Sequence, residues 1–188
     1  MSSIMRVAAL DPSLRHFGMA KLELDLDTMT LGVLDLELID TERMVNKSVR
    51  QNSDDLRRSR EIIKLFHAFV GDCSLAFAEI PSGAQSARAA LSFGISIGLL
   101  ASCPKPLIQV QPFETKMATV GTKTASKEEM IIWATEKFPD APWLRAKGGK
   151  KQVLNSNEHL ADAVAIAHAG IATDQFLQLM AMRRTRAA

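Results

Sequence analysis

The spacing of apolar and polar positions changes several times along the chain, and each change marks an element boundary. Ile4 to Leu10 is a nearly continuous apolar run, the pattern of a central strand covered on both faces. Gly18 to Leu24 and Leu31 to Ile39 alternate instead: Leu22, Leu24 and Leu26 against Glu23 and Asp25, then Leu34, Leu36 and Leu38 against Asp35 and Glu37. Period two predicts half-exposed antiparallel strands, so the chain is expected to open on a three-stranded meander. A polar stretch, Met44 to Asn52, follows. Ser53-Asp54-Asp55 is then expected to cap a helix reaching about Val70, with Leu56, Ile63, Phe66 and Phe69 facing inward.

Leu75 to Ile80 predicts a fourth strand, stopped by Pro81-Ser82-Gly83. Ala84 to Ser102 reads as a helix rich in small residues, and Leu107 to Val110 as a fifth strand. Pro112 to Ala118 predicts a short helix. Ser126 to Lys137 predicts another, with Ser126 and Glu129 as a capping box. A Pro-, Gly- and Lys-rich loop covers Pro139 to Leu154, and Asn157 opens a last main helix to about Ala172. This order predicts an α/β fold around one five-stranded mixed sheet flanked by helices.

At 188 residues, 47% hydrophobic and 23% charged, the chain suits one globular domain and excludes a disordered one. Net charge is only +2, so the clustering of basic residues carries more than their number. Cys73 and Cys103 form no CxxC pair or zinc-ligand spacing, which fits a reduced cytoplasmic protein. Leu91 to Ala101 is too short and Gly-interrupted to span a bilayer, and Met1-Ser2-Ser3 is not the start of a signal peptide. No membrane partner is expected.

Candidate chemistry sits at element ends. Asp11 closes the first strand and Glu79 the fourth; parallel neighbours would bring both carboxylates out at one sheet end. His159 and Asp162, three apart, share a helix face, as do Glu158 and Asp162, four apart, so spacing leaves the partner of Asp162 open. Taken singly, Asp11 also suits a turn cap, Glu79 a surface ion pair, and His159 a helix cap or core position. Asp162, within an alanine-rich apolar face, is harder to explain without a compensating charge. Lys127 lies one residue inside a helix N-terminus, where free backbone N–H groups favour anions. Arg145, Lys147, Lys150 and Lys151 surround Gly148-Gly149, and Arg183, Arg184 and Arg186 make a basic tail. Both are either solvated surface or candidates to track a polyanionic backbone. Trp143, beside that loop, is either a base-stacking ring or a cover for the core. His16, His67 and His168 carry no comparable pattern.

Four segments in order resemble the RuvC family of Holliday-junction resolvases. They are Asp11-Pro12-Ser13 followed by Gly18; strand-end Glu79; Pro112-Phe113-Glu114-Thr115-Lys116 with Gly121, Ala125 and Lys127; and His159 to Ala167. The resemblance covers residues 4 to 170. It implies an RNase H-like fold, a homodimer, and paired symmetrical nicking of four-way DNA with Mg²⁺ or Mn²⁺, two ions per active site. It matches Asp11, Glu79, His159 and Asp162 to the family's metal positions and Lys116 and Lys127 to its basic ones. On that reading Asp11 bridges two cations, Glu79 and Asp162 each complete one, and His159 is a ligand or orients water. An imidazole among the ligands favours acceptance of Mn²⁺. Residues 1 to 173 would then form the nuclease domain and residues 174 to 188 a helical extension and basic tail. Lys116, Lys123, Lys127, Arg145, Lys147, Lys150 and Lys151 are its expected DNA contacts, and the helix from Ala84 to Ser102 its expected dimer interface.

The chain departs from the family at two positions within the matched segments and in a helix extension after Ala172. No aromatic follows Glu79 in Ile80-Pro81-Ser82-Gly83, and Lys123 stands where a second glycine is common. Selectivity for junctions is therefore the least determined property, and branched-DNA or RNA cleavage, or junction binding without cutting, are the rival readings. An actin-like ATPase shares the strand–Asp opening, but no second Gly-rich phosphate loop is present.

Overall fold

A computed structural model describes residues 3–45, 48–81, 83–145 and 155–187. The five expected strands form one sheet: β1 (Ile4–Asp11), β2 (His16–Asp25), β3 (Thr30–Asp40), β4 (Leu75–Glu79) and β5 (Leu107–Val110), in spatial order β3-β2-β1-β4-β5. The first three pair antiparallel, and β1–β4 and β4–β5 pair parallel. The helices are α1 (Gln51–Phe69), α2 (Ala87–Ala101), α3 (Pro112–Thr119), α4 (Lys127–Lys137), α5 (Glu158–Gly170) and α6 (Asp174–Ala187).

Strand alternation divides the core into two. Val7, Ala9, Leu75, Phe77, Ile108 and Val110 face α5 and α6, while Ala8, Leu10, Ala76 and Ala78 face α1 and α2. Both faces of β1 are therefore buried, which is why its sequence shows no alternation. The α5 helix lies across β1, β2 and β4, and α3 and α4 pack on it in turn. Its alanines (161, 163, 165, 167 and 169) are buried, and small side chains let its axis approach the sheet closely. Gly170 completes this at one end, since a Cβ there would lie 2.2 Å from the Phe77 ring. The α6 helix docks on the same core through Phe176, edge-to-face with Phe77 at 5.5 Å between centroids.

Three local expectations are corrected. The α1 helix begins at Gln51 behind Arg50, so Asp54 and Asp55 lie inside its first turns and are buried rather than capping it. Its inward stripe is Asp55, Arg58, Ile62, Phe66 and Phe69. Leu56 falls off that stripe and is 53% exposed, and Ile63 is only partly covered. Phe66 and Phe69 are buried as expected, but the buried polar residues at the start of the helix hid its stripe there, so apolar tracing picks Leu56 and Ile63. The α2 helix starts at Ala87, where Ser86 accepts from the Ala89 N–H, not at Ala84. The Ser126–Glu129 capping box forms, with reciprocal bonds of 2.7 and 3.2 Å. Trp143 is buried, its indole N–H donating to the Phe138 carbonyl at 2.8 Å, so it covers the core. Both cysteines are unpaired. Among the described residues no helix is long and apolar enough to cross a membrane.

Candidate metal centre

The last β1–β4 register pair is Leu10 with Ala78, one residue before Asp11 and Glu79. Period two puts those carboxylates on the face of Ala9 and Phe77, the face that α5 covers. There α5 presents His159 and Asp162 from its first turns. Ligand atoms of Asp11, His159 and Asp162 lie within 4.8 Å of one another. Asp11, Glu79 and Asp162 also line one cavity of about 90 Å³ with Pro112, Thr115, Lys116 and Met130. The two strand ends and the helix thus converge at the carboxyl edge of the parallel pair, the usual ligand position in open α/β sheets.

Electrostatics at this point are dominated by negative charge. Burial, then repulsion from Asp11, Glu79 and Glu158, pushes the Asp162 carboxyl up to about 7, with only His159 opposing. Burial and then Asp11 push Glu79 up to about 7, against Lys116 and a hydrogen bond from Thr115. His159 Nδ1 sits 2.6 Å from Asp11 Oδ2, and that bond raises the imidazole above its ordinary range despite burial. A carboxylate accepts only, so Nδ1 carries the proton and Nε2 is left as the lone-pair nitrogen of the neutral ring. Three acids and one imidazole, with Lys116 at the cavity wall, fit a divalent cation by donor chemistry and by charge.

The two candidate partners of Asp162 take different positions. His159 joins the cluster, whereas Glu158 pairs with Lys127 at 2.6 Å and so ties α4 to α5. Lys127 therefore faces a carboxylate rather than an open anion site. Lys116 lines the cavity. Lys123 is not among its lining residues; its Nζ lies 5.6 Å from the centroid of the Phe113 ring. Arg145 ends the described part of its loop, and Lys147, Lys150 and Lys151 lie outside the described residues. Arg183 sits beside Met5 and Leu75, at the opposite ends of β1 and β4 from Asp11 and Glu79. That part of the basic tail is remote from the carboxylates.

Sequence reading missed His16. Its ring stacks on His159 with centroids 5.2 Å apart, and its Nδ1 lies 3.4 Å from Asp40. These residues, with Leu38, Lys127, Ser156 and Glu158, line a groove of about 470 Å³ alongside the carboxylate cavity. The available signal was register. Asp11 pairs with Gly18 across β1–β2, which puts His16 just beyond that end, opposite Asp40 on β3. Thr115 was missed as well; nothing but its place one residue before Lys116 announced it.

The fold is that of RuvC-type resolvases. RuvC of Thermus thermophilus superposes with a TM-score of 0.59 at 21% identity, over 94% of this chain and 97% of that one. The same enzyme in complex with a Holliday junction gives 0.62 at 20%, over 93% and 96%. Fowlpox virus resolvase with Holliday junction DNA gives 0.53 at 12%, over 93% and 99%. No family model and no curated protein matches the sequence.

Proposed function

We propose that this chain is a divalent-metal-dependent endonuclease that nicks four-way and related branched DNA. The observation that carries the proposal is the convergence of Asp11, Asp162 and His159 within 4.8 Å, with Glu79 in the same cavity. It occurs on a fold whose solved relatives include two resolvases bound to Holliday junctions. Asp11, Glu79, Asp162 and His159 would hold the cations, Mg²⁺ or Mn²⁺. Bound there, a cation pair would activate water and stabilise the leaving oxygen of a phosphodiester. Asp11 fixes the His159 tautomer, and Lys116 brings positive charge to the wall where the phosphate must enter. Lys123, Arg145 and, once released from Glu158, Lys127 would contact the DNA backbone; the same role is proposed for Lys147, Lys150 and Lys151, which lie outside the described residues.

Paired nicks of like polarity need two sites, and we assign the second to another copy docked on α2. That helix exposes Leu91 and Ile97, each 45% exposed, and Gly94 and Gly98, whose Cβ positions meet open space. An isologous contact between two such faces would relate the sites by a two-fold axis. The test is to incubate the protein with end-labelled four-way junction, fork, linear duplex and RNA, each with Mg²⁺ or Mn²⁺. Symmetrical nicks in the junction that vanish in Asp11→Asn, while binding persists, are expected. Tight junction binding with no cutting in either metal would establish the binding-only reading, and preferential RNA cleavage the RNA one.

A further inference from the structure

Eight phenylalanines and two tryptophans are the only Phe, Tyr or Trp residues in this chain. Phe17, Phe66, Phe77 and Phe176 are fully buried, and Phe69 and Trp143 nearly so. Phe113 is the most exposed of the ten, at 50%. It stands in the first turn of α3, between the carboxylate cavity and the loop that carries Lys123. Its neighbours Pro112, Thr115 and Lys116 line the carboxylate cavity, while Lys123, from the loop beyond α3, holds its ammonium 5.6 Å from the ring centroid. Phe113, Lys116 and Met117 stand three and four apart and share one helix face, and Met117 is itself 45% exposed.

Resting on the nuclease reading above, we propose that Phe113 is a stacking platform for a nucleobase flanking the scissile phosphate. A solvent-open π face accepts any base, and cations beside it suit the attached phosphates. The spacing agrees with this. Phe113 and Lys116 are close to one helical turn apart, about 5 Å along the axis, so a phosphate held at Lys116 leaves a base of the same or adjoining nucleotide within reach of the ring. An exposed ring on a duplex cannot stack without an unpaired or splayed base, so such a platform favours branch points over linear DNA. Lys123 already lies near the ring face in the free protein. It would turn to the backbone when a base takes its place.

The test crosses Phe113→Leu and Phe113→Trp with junctions carrying a single abasic nucleotide at each of the positions flanking the cut. Wild type should lose affinity about tenfold at one abasic position, the scale of one stacked base. Phe113→Leu should lose a similar factor on intact junction and then be indifferent to that abasic site, whereas Phe113→Trp should behave as wild type. Independent, multiplying losses would overturn the platform. So would a Leu variant that binds the intact junction as tightly as wild type. If Phe113→Leu does not fold by circular dichroism, the scan on wild type decides alone, and insensitivity at every position overturns the proposal. Wild type that cuts junctions yet shows no dependence on ring or base sinks this inference only. Wild type that neither binds nor cuts branched DNA removes the nuclease reading with it.

Discussion

Gly18 lies directly against the backbone of His159: a Cβ at position 18 would stand 2.3 Å from the His159 carbonyl oxygen and 2.7 Å from its carbonyl carbon. Gly18 is also the antiparallel partner of Asp11. One glycine therefore sets how closely the start of α5 approaches the end of β1, and with it the His159–Asp11 contact. The neighbour is backbone, which cannot swing aside as a flexible side chain would. Gly18→Ala should push the α5 N-terminus outward and weaken cation binding roughly 10–100-fold, the scale seen when support of a ligand is lost. Isothermal titration with Mn²⁺ measures this, and unchanged affinity would show that α5 position does not set the site.

Gly170 makes the corresponding approach at the other end of α5, against the Phe77 ring rather than against backbone. Gly170→Ala gains helix propensity but overpacks a fully buried aromatic, so a net loss of about 1–3 kcal/mol is expected. Chemical denaturation should show that loss. Cation affinity in the folded variant should stay close to wild type, in contrast to Gly18→Ala.

Lys116 shares the cavity with the carboxylates but cannot be a cation ligand while charged. Lys116→Ala should therefore leave Mn²⁺ binding intact or slightly tighter and reduce the nicking rate by roughly 10²–10³-fold, as loss of one preorganised electrostatic partner does. Asp11→Asn should reduce both. Single-turnover cleavage beside metal titration separates the two, and equal loss of metal affinity in both variants would argue that Lys116 only holds the cavity together.

The strand ends were legible in the sequence because two simple periodicities meet there. Alternation fixes the face of Asp11 and Glu79 once β1 and β4 are parallel neighbours, and Asp162 stood out as an acid among alanines. The choice between Glu158 and His159 was not legible, since residues three and four apart from Asp162 share its face equally well. The difference between them is tertiary: Lys127 on α4 pairs with Glu158, while His159 bonds to Asp11. His16 was illegible for a related reason, because its role depends on β2–β3 register and on α5 arriving beside it. On α1 the expected Phe66 and Phe69 are buried and Leu56 is not, because the buried stripe begins with charged residues.

Those charges form a structural tie between α1 and α2. Asp55, 6% exposed in its side chain, accepts two bonds from Arg88 at 2.6 and 2.9 Å and lies 3.6 Å from Arg58. Arg58 donates in turn to the Leu14 carbonyl and to Thr41 Oγ1. The Arg88 hydrogen bonds hold the Asp55 carboxyl below its usual range despite burial. A depressed folded-state pKa gives stability that is present above the unfolded value near 4 and lost as pH falls through the folded one. Asp55→Ala strips Arg88 of both acceptors and leaves buried Arg58 with Asp54 as counter-charge, and should cost roughly 3–5 kcal/mol at pH 7. The difference from wild type should shrink as pH drops below about 4. Urea melts at pH 7 and pH 3.5 test both statements, and a pH-independent difference would assign the loss to packing.

The carboxylate cluster has the opposite sign. Burial and mutual repulsion hold Glu79 and Asp162 at about 7, far above the unfolded carboxylate range. Between about pH 4 and 7 the metal-free folded state binds more protons than the unfolded chain, so its stability falls as pH rises through that window. The raised imidazole of His159 acts in the same direction. A divalent cation supplies the missing positive charge and must displace those protons, so its affinity should strengthen with pH up to about 7–8. Melting temperatures in EDTA should therefore decline from pH 5.5 to 8, while those in saturating Mn²⁺ should hold or rise, and the gap between the curves should widen. Asp162→Asn removes one of the repelling charges, so it should raise the EDTA curve at pH 8 and narrow the gap. Parallel curves in wild type would mean that the acids ionise independently of the cation, and the cavity would then not be its binding site.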